Sequence, residues 1–243
     1  MNKVTNPLAG FPPAAYLIGA QKAGTTSLAA VLSTHPTLAL SQPKEPHFYT
    51  REWNKGLDWY RSKFPRKPGV VLLDASTSYS MAPLHAGSAS LMNQVPERIH
   101  SMRPDARFIY LVRDPVDRAI SSYWHAVRAG YESRPLAECI EGSSFYLCGS
   151  YYNFQLEHFL RHFALERFLV ISTREFATRP QDTVARCWRF LDLDPALAPE
   201  PAVERRNESY VISGPLTWLF RIPGGKMLAN GFWKTVSSYL NVK

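Results

Sequence analysis

Four short runs, AAYLIG (14–19), VVLLD (70–74), RFIYLV (107–112) and RFLVIS (167–172), are apolar at successive positions instead of alternate ones. A strand that presents apolar side chains to both sides must be covered on both sides, the condition of a parallel sheet held between layers of helices. The intervening sequence supplies the helices. TSLAAVLSTHP (26–36) reads as a helix stopped at Pro36, and Trp53, Leu57, Tyr60 and Phe64 fall at helical spacing. So do Leu156, Phe159, Leu160 and Phe163, and again Val184, Cys187, Trp188 and Leu191. The sharpest boundary follows RFIYLV, where Asp114 can cap a helix with Pro115 at its first position and Asp117 in its first turn. This alternation predicts an α/β chain: a P-loop-like three-layer fold with a central parallel sheet flanked by helices. One domain is expected over residues 1–243, with a Pro-rich exit at DPALAPEP (194–201) opening a less regular segment, 194–243.

With 45% hydrophobic and 20% charged residues the chain is not a disordered one, and no apolar run is long enough to span a bilayer. MNKVTNPLAGFPP lacks an apolar signal core, and Cys139, Cys148 and Cys187 form neither an even framework nor a CxxC pair. A reducing, cytoplasmic setting without structural zinc is therefore expected. The net charge of +8 points to an anionic partner. Lys and Arg do not alternate with aromatics as a nucleic-acid groove requires, so a phosphorylated small molecule is the expected partner and nucleic acid is not.

That anion has an obvious place to bind. GAQKAGTTS (19–27) lies between a strand and a helix, where backbone N–H groups and a helix N-terminus converge. Gly24 permits close approach, Thr25, Thr26 and Ser27 add hydroxyls, Ala23 adds a backbone donor, and Lys22 brings a compact positive charge. Nucleoside-triphosphatase loops place lysine after the last glycine, whereas here Lys22 precedes Gly24. Arg113 ends a buried strand at its carboxyl end, where open α/β sheets bind ligands, and its guanidinium suits a phosphate; an ion pair with Asp114 or Asp117 is the plainer alternative. Asp74, ending VVLLD, would be the magnesium-holding acid if the chain were a nucleotide kinase, but the lysine order speaks against that class.

Taken together, GAQKAGTTSL, KEPHFY (44–49) and YLVRDPVDRAISSYWH (110–125) resemble the sulfotransferases that use 3′-phosphoadenosine 5′-phosphosulfate (PAPS), in particular the branch of heparan sulfate and other carbohydrate sulfotransferases and their bacterial relatives. The likeness covers roughly residues 14–192. It implies a parallel-sheet fold, PAPS as co-substrate without a metal, the first motif on the donor's 5′ side, and Arg113 with Ser121 on its 3′-phosphate. It implies Glu45 as general base, Lys22 as stabiliser of the leaving phosphate, and His47 as an aid to acceptor binding or proton handling. Lys44 would add charge near the acceptor, and Tyr151 would approach the donor or else pack in the core.

Two departures stand out. Ala75 occupies a position where the heparan enzymes carry lysine, and their C-terminal Lys-Gly-Arg donor loop is missing; Arg205 and Arg206 are candidates to replace it. The expected acceptor is a glycan, lipid or secondary metabolite, with a hydroxyl more expected than an amine. A nucleotide kinase, or a module that only binds 3′-phosphoadenosine nucleotides, are the competing classes. The tail carries Trp218, Phe220, Phe232 and Trp233 among Arg221, Lys226 and Lys234, with no acid after Glu208. A packed cap is the plain reading of it, and a membrane-surface or acceptor-side element the sharper one.

Overall fold

The computed structural model describes residues 6–84, 92–140 and 145–200. Five strands, β1 (Ala15–Gly19), β2 (Leu38–Leu40), β3 (Val71–Asp74), β4 (Arg107–Val112) and β5 (Phe168–Ser172), form one sheet in the order β2-β3-β1-β4-β5. Every pairing in it is parallel. β1 is central, and all five of its residues are buried. Its Tyr16 stacks on Phe108 of β4, with ring centroids 5.6 Å apart. β5 lies at an edge, and accordingly its Val170 is 42% exposed.

The helices are α1 (Thr25–Leu32), α2 (Gly56–Arg61), α3 (Val95–Met102), α4 (Pro115–Ala129), the single turns α5 (Leu136–Cys139) and α6 (Phe145–Cys148), α7 (Tyr152–Leu160), α8 (Thr173–Thr178) and α9 (Pro180–Phe190). α1 packs against α9, and α3 against α7. α1 lies in the connection from β1 to β2, while α3 precedes β4 and α7 lies between β4 and β5. The three-layer parallel arrangement expected from the four apolar runs is the one observed. The short β2 and the helix α3 were not anticipated.

Sheet order decides where a ligand can sit. The chain leaves β1 toward β2 and leaves β4 toward β5, in opposite directions, so a crevice opens between the carboxyl ends of two neighbouring strands. The two segments that emerge there are the 20–24 loop and Arg113 with the start of α4.

Cys139, Cys148 and Cys187 are buried and unbridged. Among the described residues no helix is long and apolar enough to cross a membrane. Arg205, Arg206 and the aromatic tail lie outside the described residues.

Candidate active site

The loop after β1 is fixed from below. Ala20 N–H donates to Leu111 O (2.6 Å), Ser80 Oγ to Ile18 O (2.7 Å), and Thr173 Oγ1 to Ala23 O (2.9 Å) or Val112 O (3.0 Å). Gly19 allows this closeness, because a Cβ there would overlap Ser80 Oγ. Gly24 precedes α1 with φ 95°, a left-handed conformation that favours glycine, and no side chain caps the helix. No acid lies in the first turn either, so the positive end of the helix dipole remains uncompensated. Thr25 and Ser27 are buried on that turn, Thr26 is partly exposed, and Lys22 is half-buried with φ 69°. Burial, then the charges of Arg128 and Arg113, lower the Lys22 ammonium below its ordinary value. Three cations therefore share one electrostatic neighbourhood at the mouth of the crevice.

α4 begins as its sequence dictates. Asp114 Oδ1 accepts from the N–H groups of Val116 (3.0 Å) and Asp117 (2.9 Å), with Pro115 at the first position. Arg113 pairs with Asp117 at 3.3 Å, the alternative weighed from sequence, but Asp117 is 60% exposed and such a surface pair contributes little. Tyr152 fastens the Arg113 backbone, accepting from its N–H (3.3 Å) and donating to its carbonyl (2.8 Å). Two turns into α4, Ser121 is buried and its Oγ has no hydrogen-bond partner. A buried hydroxyl without a partner costs free energy, so this orphan marks a place where a ligand oxygen would be accommodated.

Glu45 presents the opposite picture. Its Oε2 accepts from Thr77 N–H (3.1 Å) and Thr77 Oγ1 (2.8 Å), and its Oε1 accepts from Lys44 Nζ (2.8 Å). Burial pushes the Glu45 carboxyl up, but the Lys44 charge and the bonds from Lys44 and Thr77 outweigh it and hold the group below its ordinary value. His47 Nε2 lies 3.9 Å from Glu45 Oε2, while His47 Nδ1 bonds Ser78 Oγ (2.8 Å) and its backbone N–H donates to Ser76 Oγ (3.0 Å). Burial keeps the His47 imidazole below its usual value despite the pull of Glu45.

Apart from Lys44, these holders come from one hydroxyl-rich segment, STSYS (76–80), after β3. Asp74 anchors it. Asp74 is fully buried, and its carboxylate accepts from Ser76 N–H (3.0 Å), Ser76 Oγ (2.6 Å), Tyr60 OH (2.7 Å) and Tyr79 OH (2.7 Å). Burial pushes it up to about 6. Asp74 is thus a structural anchor, with no acceptor capacity left for a magnesium ion. Among the described residues no group of three or more His, Cys, Asp or Glu side chains is placed to hold a metal.

The geometry brings together Lys22, Ala23, Gly24, Thr25, Thr26 and Ser27 with Arg113 and Ser121 across the crevice, and Glu45 and His47 beside them. Tyr151 is 49% exposed, which removes the core alternative; its neighbour Tyr152 is the one that grips Arg113. Sequence reasoning missed His125 and Arg128. They follow Ser121 at i+4 and i+7 on the same face of α4, a signal that helical periodicity alone contained. Partial desolvation, then Lys22 and Arg128, lower the His125 imidazole against the pull of Glu45.

Residues 12–210 match the family described as Sulfotransferase domain, and the chain belongs to it. Among its relatives is human heparan sulfate glucosamine 3-O-sulfotransferase 6, 34% identical over 202 residues that make up 77% of this chain and 56% of that protein. Human heparan sulfate glucosamine 3-O-sulfotransferase 3B1 is 33% identical over 191 residues, 74% of this chain and 46% of that protein. The chain thus spans about half the length of these relatives. A solved sulfotransferase from Alicyclobacillus acidocaldarius superimposes with a TM-score of 0.66 at 27% identity, over 80% of this chain and 86% of the other. The sulfotransferase domain from the curacin biosynthetic pathway shares the fold, with a TM-score of 0.51 at 17% identity over 80% and 79%.

Proposed function

We propose that this chain transfers a sulfuryl group from PAPS to a hydroxyl group, with a glycan as the favoured acceptor class and lipids or secondary metabolites as further candidates. The carrying observation is the meeting of two chemistries in one crevice: a held carboxylate, Glu45, beside an uncapped helix terminus ringed by Lys22, Arg113 and Arg128. The glycan preference rests on the heparan sulfate 3-O-sulfotransferases among the relatives.

The residues present fit the nucleotide, since the buried Ser121 hydroxyl lacks a partner and Arg113 directs only one nitrogen at an exposed carboxylate. PAPS supplies an activated sulfuryl group and departs as 3′-phosphoadenosine 5′-phosphate (PAP). In this reading the 19–27 loop and Lys22 receive the 5′ side and stabilise charge on the leaving phosphate. Arg113 and Ser121 hold the 3′-phosphate. Glu45 removes the acceptor's proton, and His47, held below its usual value by burial and fixed by Ser78, orients the acceptor hydroxyl.

Radiolabelled PAPS incubated with the protein and a panel of glycans in chelator-treated buffer tests the proposal. Label should pass to a glycan hydroxyl, and Lys22→Ala should lower that turnover by about 10² to 10³, the scale of losing one charge-stabilising group. Magnesium-dependent transfer of label from ATP, with none from PAPS, would instead establish a kinase.

A further inference from the structure

Glu45 as it stands is a base with both oxygens hydrogen-bonded, Oε2 twice and Oε1 once. Oε2 is fixed by the two Thr77 donors, and Oε1 by Lys44 Nζ at 2.8 Å. A carboxylate oxygen that is to receive a proton must first be open to the acceptor hydroxyl. Thr77 is rigidly placed by the Asp74-anchored segment, so Lys44 is the partner able to leave. Its ammonium is a compact charge on a flexible stem. Its Nζ also donates, more loosely, to Thr25 Oγ1, 3.4 Å away on the first turn of α1, the uncapped terminus where the donor's anionic end would lie. The Lys44 side chain is only 19% exposed, so water screens its pull toward either anion weakly.

We propose that Lys44 is a positioning residue that couples donor binding to activation of the base: in the free protein it bridges Glu45 Oε1 and Thr25 Oγ1, held closer to the carboxylate, and a bound donor draws it wholly to the Thr25 end of the crevice and frees that oxygen. The coupling rests on the sulfotransferase reading above. The acceptor proton then passes to Oε1 as the acceptor oxygen forms its bond to sulfur. The bond between sulfur and the bridging oxygen breaks, its electron pair staying with the 5′-phosphate of PAP. Lys44 at the Thr25 end meets the charge that develops there. Donor binding therefore precedes proton removal.

The titratable groups facing Glu45 are Lys44 and His47 from its own loop and His125 from α4, while the segment after β3 faces it with Thr77.

PAP, which binds without reacting, isolates the coupling from turnover. The Glu45 carboxyl is followed by carbon NMR in protein labelled at glutamate, its signal assigned by loss in Glu45→Gln. In the wild type, PAP should move the Glu45 titration midpoint upward. In Lys44→Met the midpoint should already be high without PAP and move much less on its addition, and kcat should fall by about 10²-fold. Lys44→Arg, keeping the charge, should retain most of the PAP-induced shift. PAP binding seen by calorimetry with no movement of Glu45, or a Lys44→Met protein whose free midpoint equals the wild type's, would overturn the coupling alone. Failure of PAP to bind the wild type would overturn the donor assignment and the coupling with it.

Discussion

The two sides of the crevice are finished differently. On the Glu45 side the protein satisfies its own polar groups: both carboxylate oxygens are bonded, His47 is held at backbone and ring, and the segment behind them hangs on the fully buried Asp74. On the Arg113 side it does not. Ser121 Oγ is buried without a partner, α1 begins without a side-chain cap, and Arg113 pairs with the exposed Asp117. A polar group satisfied within the fold is positioned for chemistry, whereas one left unsatisfied in a buried place has its partner supplied by a ligand. The contrast accords with the proposed reading, in which one side handles the proton and the other binds the anion.

Breaking that contrast at Glu45 carries the largest expected effect. Glu45→Gln should lower turnover by about 10² to 10⁴ while PAP affinity stays near that of the wild type. A comparable loss of PAP affinity would move Glu45 to the anion-binding side. Next in size, Arg113→Ala should weaken PAP by about 30-fold, the low end for a buried charge pair because the Arg113 side chain is 34% exposed. Adenosine 5′-phosphosulfate, which has no 3′-phosphate, should bind both proteins alike. Ser121→Ala sharpens the comparison further: PAP should weaken about 3- to 10-fold, while the thermal midpoint of the free protein holds or rises, since the substitution removes an unsatisfied buried hydroxyl. A destabilised Ser121→Ala protein would mean that the hydroxyl serves the fold.

A separate effect falls on stability and not on binding or turnover: a pH dependence. Asp74, pushed up to about 6 in the folded protein, binds its proton more tightly there than in the unfolded chain, where such a carboxyl titrates near about 3.9. Its contribution to stability is fully present below the unfolded value and is lost as pH rises through about 6. Glu45, held low, works in the opposite sense: its contribution is present above its unfolded value and lost as pH falls through its folded one. Urea unfolding followed from pH 4 to 7 should show the Asp74 loss as a declining midpoint, and Asp74→Asn should flatten that decline.

Much of the Arg113 side was legible in the sequence because local rules govern it. The Asp114–Pro115 boundary fixed the start of α4 to the residue, and RFIYLV coincides with β4. Sheet order then brings the β1 loop and Arg113 together, as an α/β alternation implies. The Glu45 side was less legible because its holders are distant in sequence. Thr77 and Ser78 reach Glu45 and His47 across about thirty residues, and nothing in STSYS alone distinguishes a template from a polar turn. Three-residue β2 is too short to show a pattern, and Tyr151 was singled out where its neighbour Tyr152 holds Arg113.

The division of labour across the crevice is tested most directly by calorimetry of PAP against adenosine 5′-phosphate, which differ by the 3′-phosphate alone, on the wild type and on Arg113→Ala/Ser121→Ala. The wild type should prefer PAP by about 10²-fold, the combined scale of one charge pair and one hydrogen bond, and the double variant should lose that preference while binding adenosine 5′-phosphate as before. Equal affinity of the wild type for both nucleotides, or an undiminished preference in the double variant, would contradict the account.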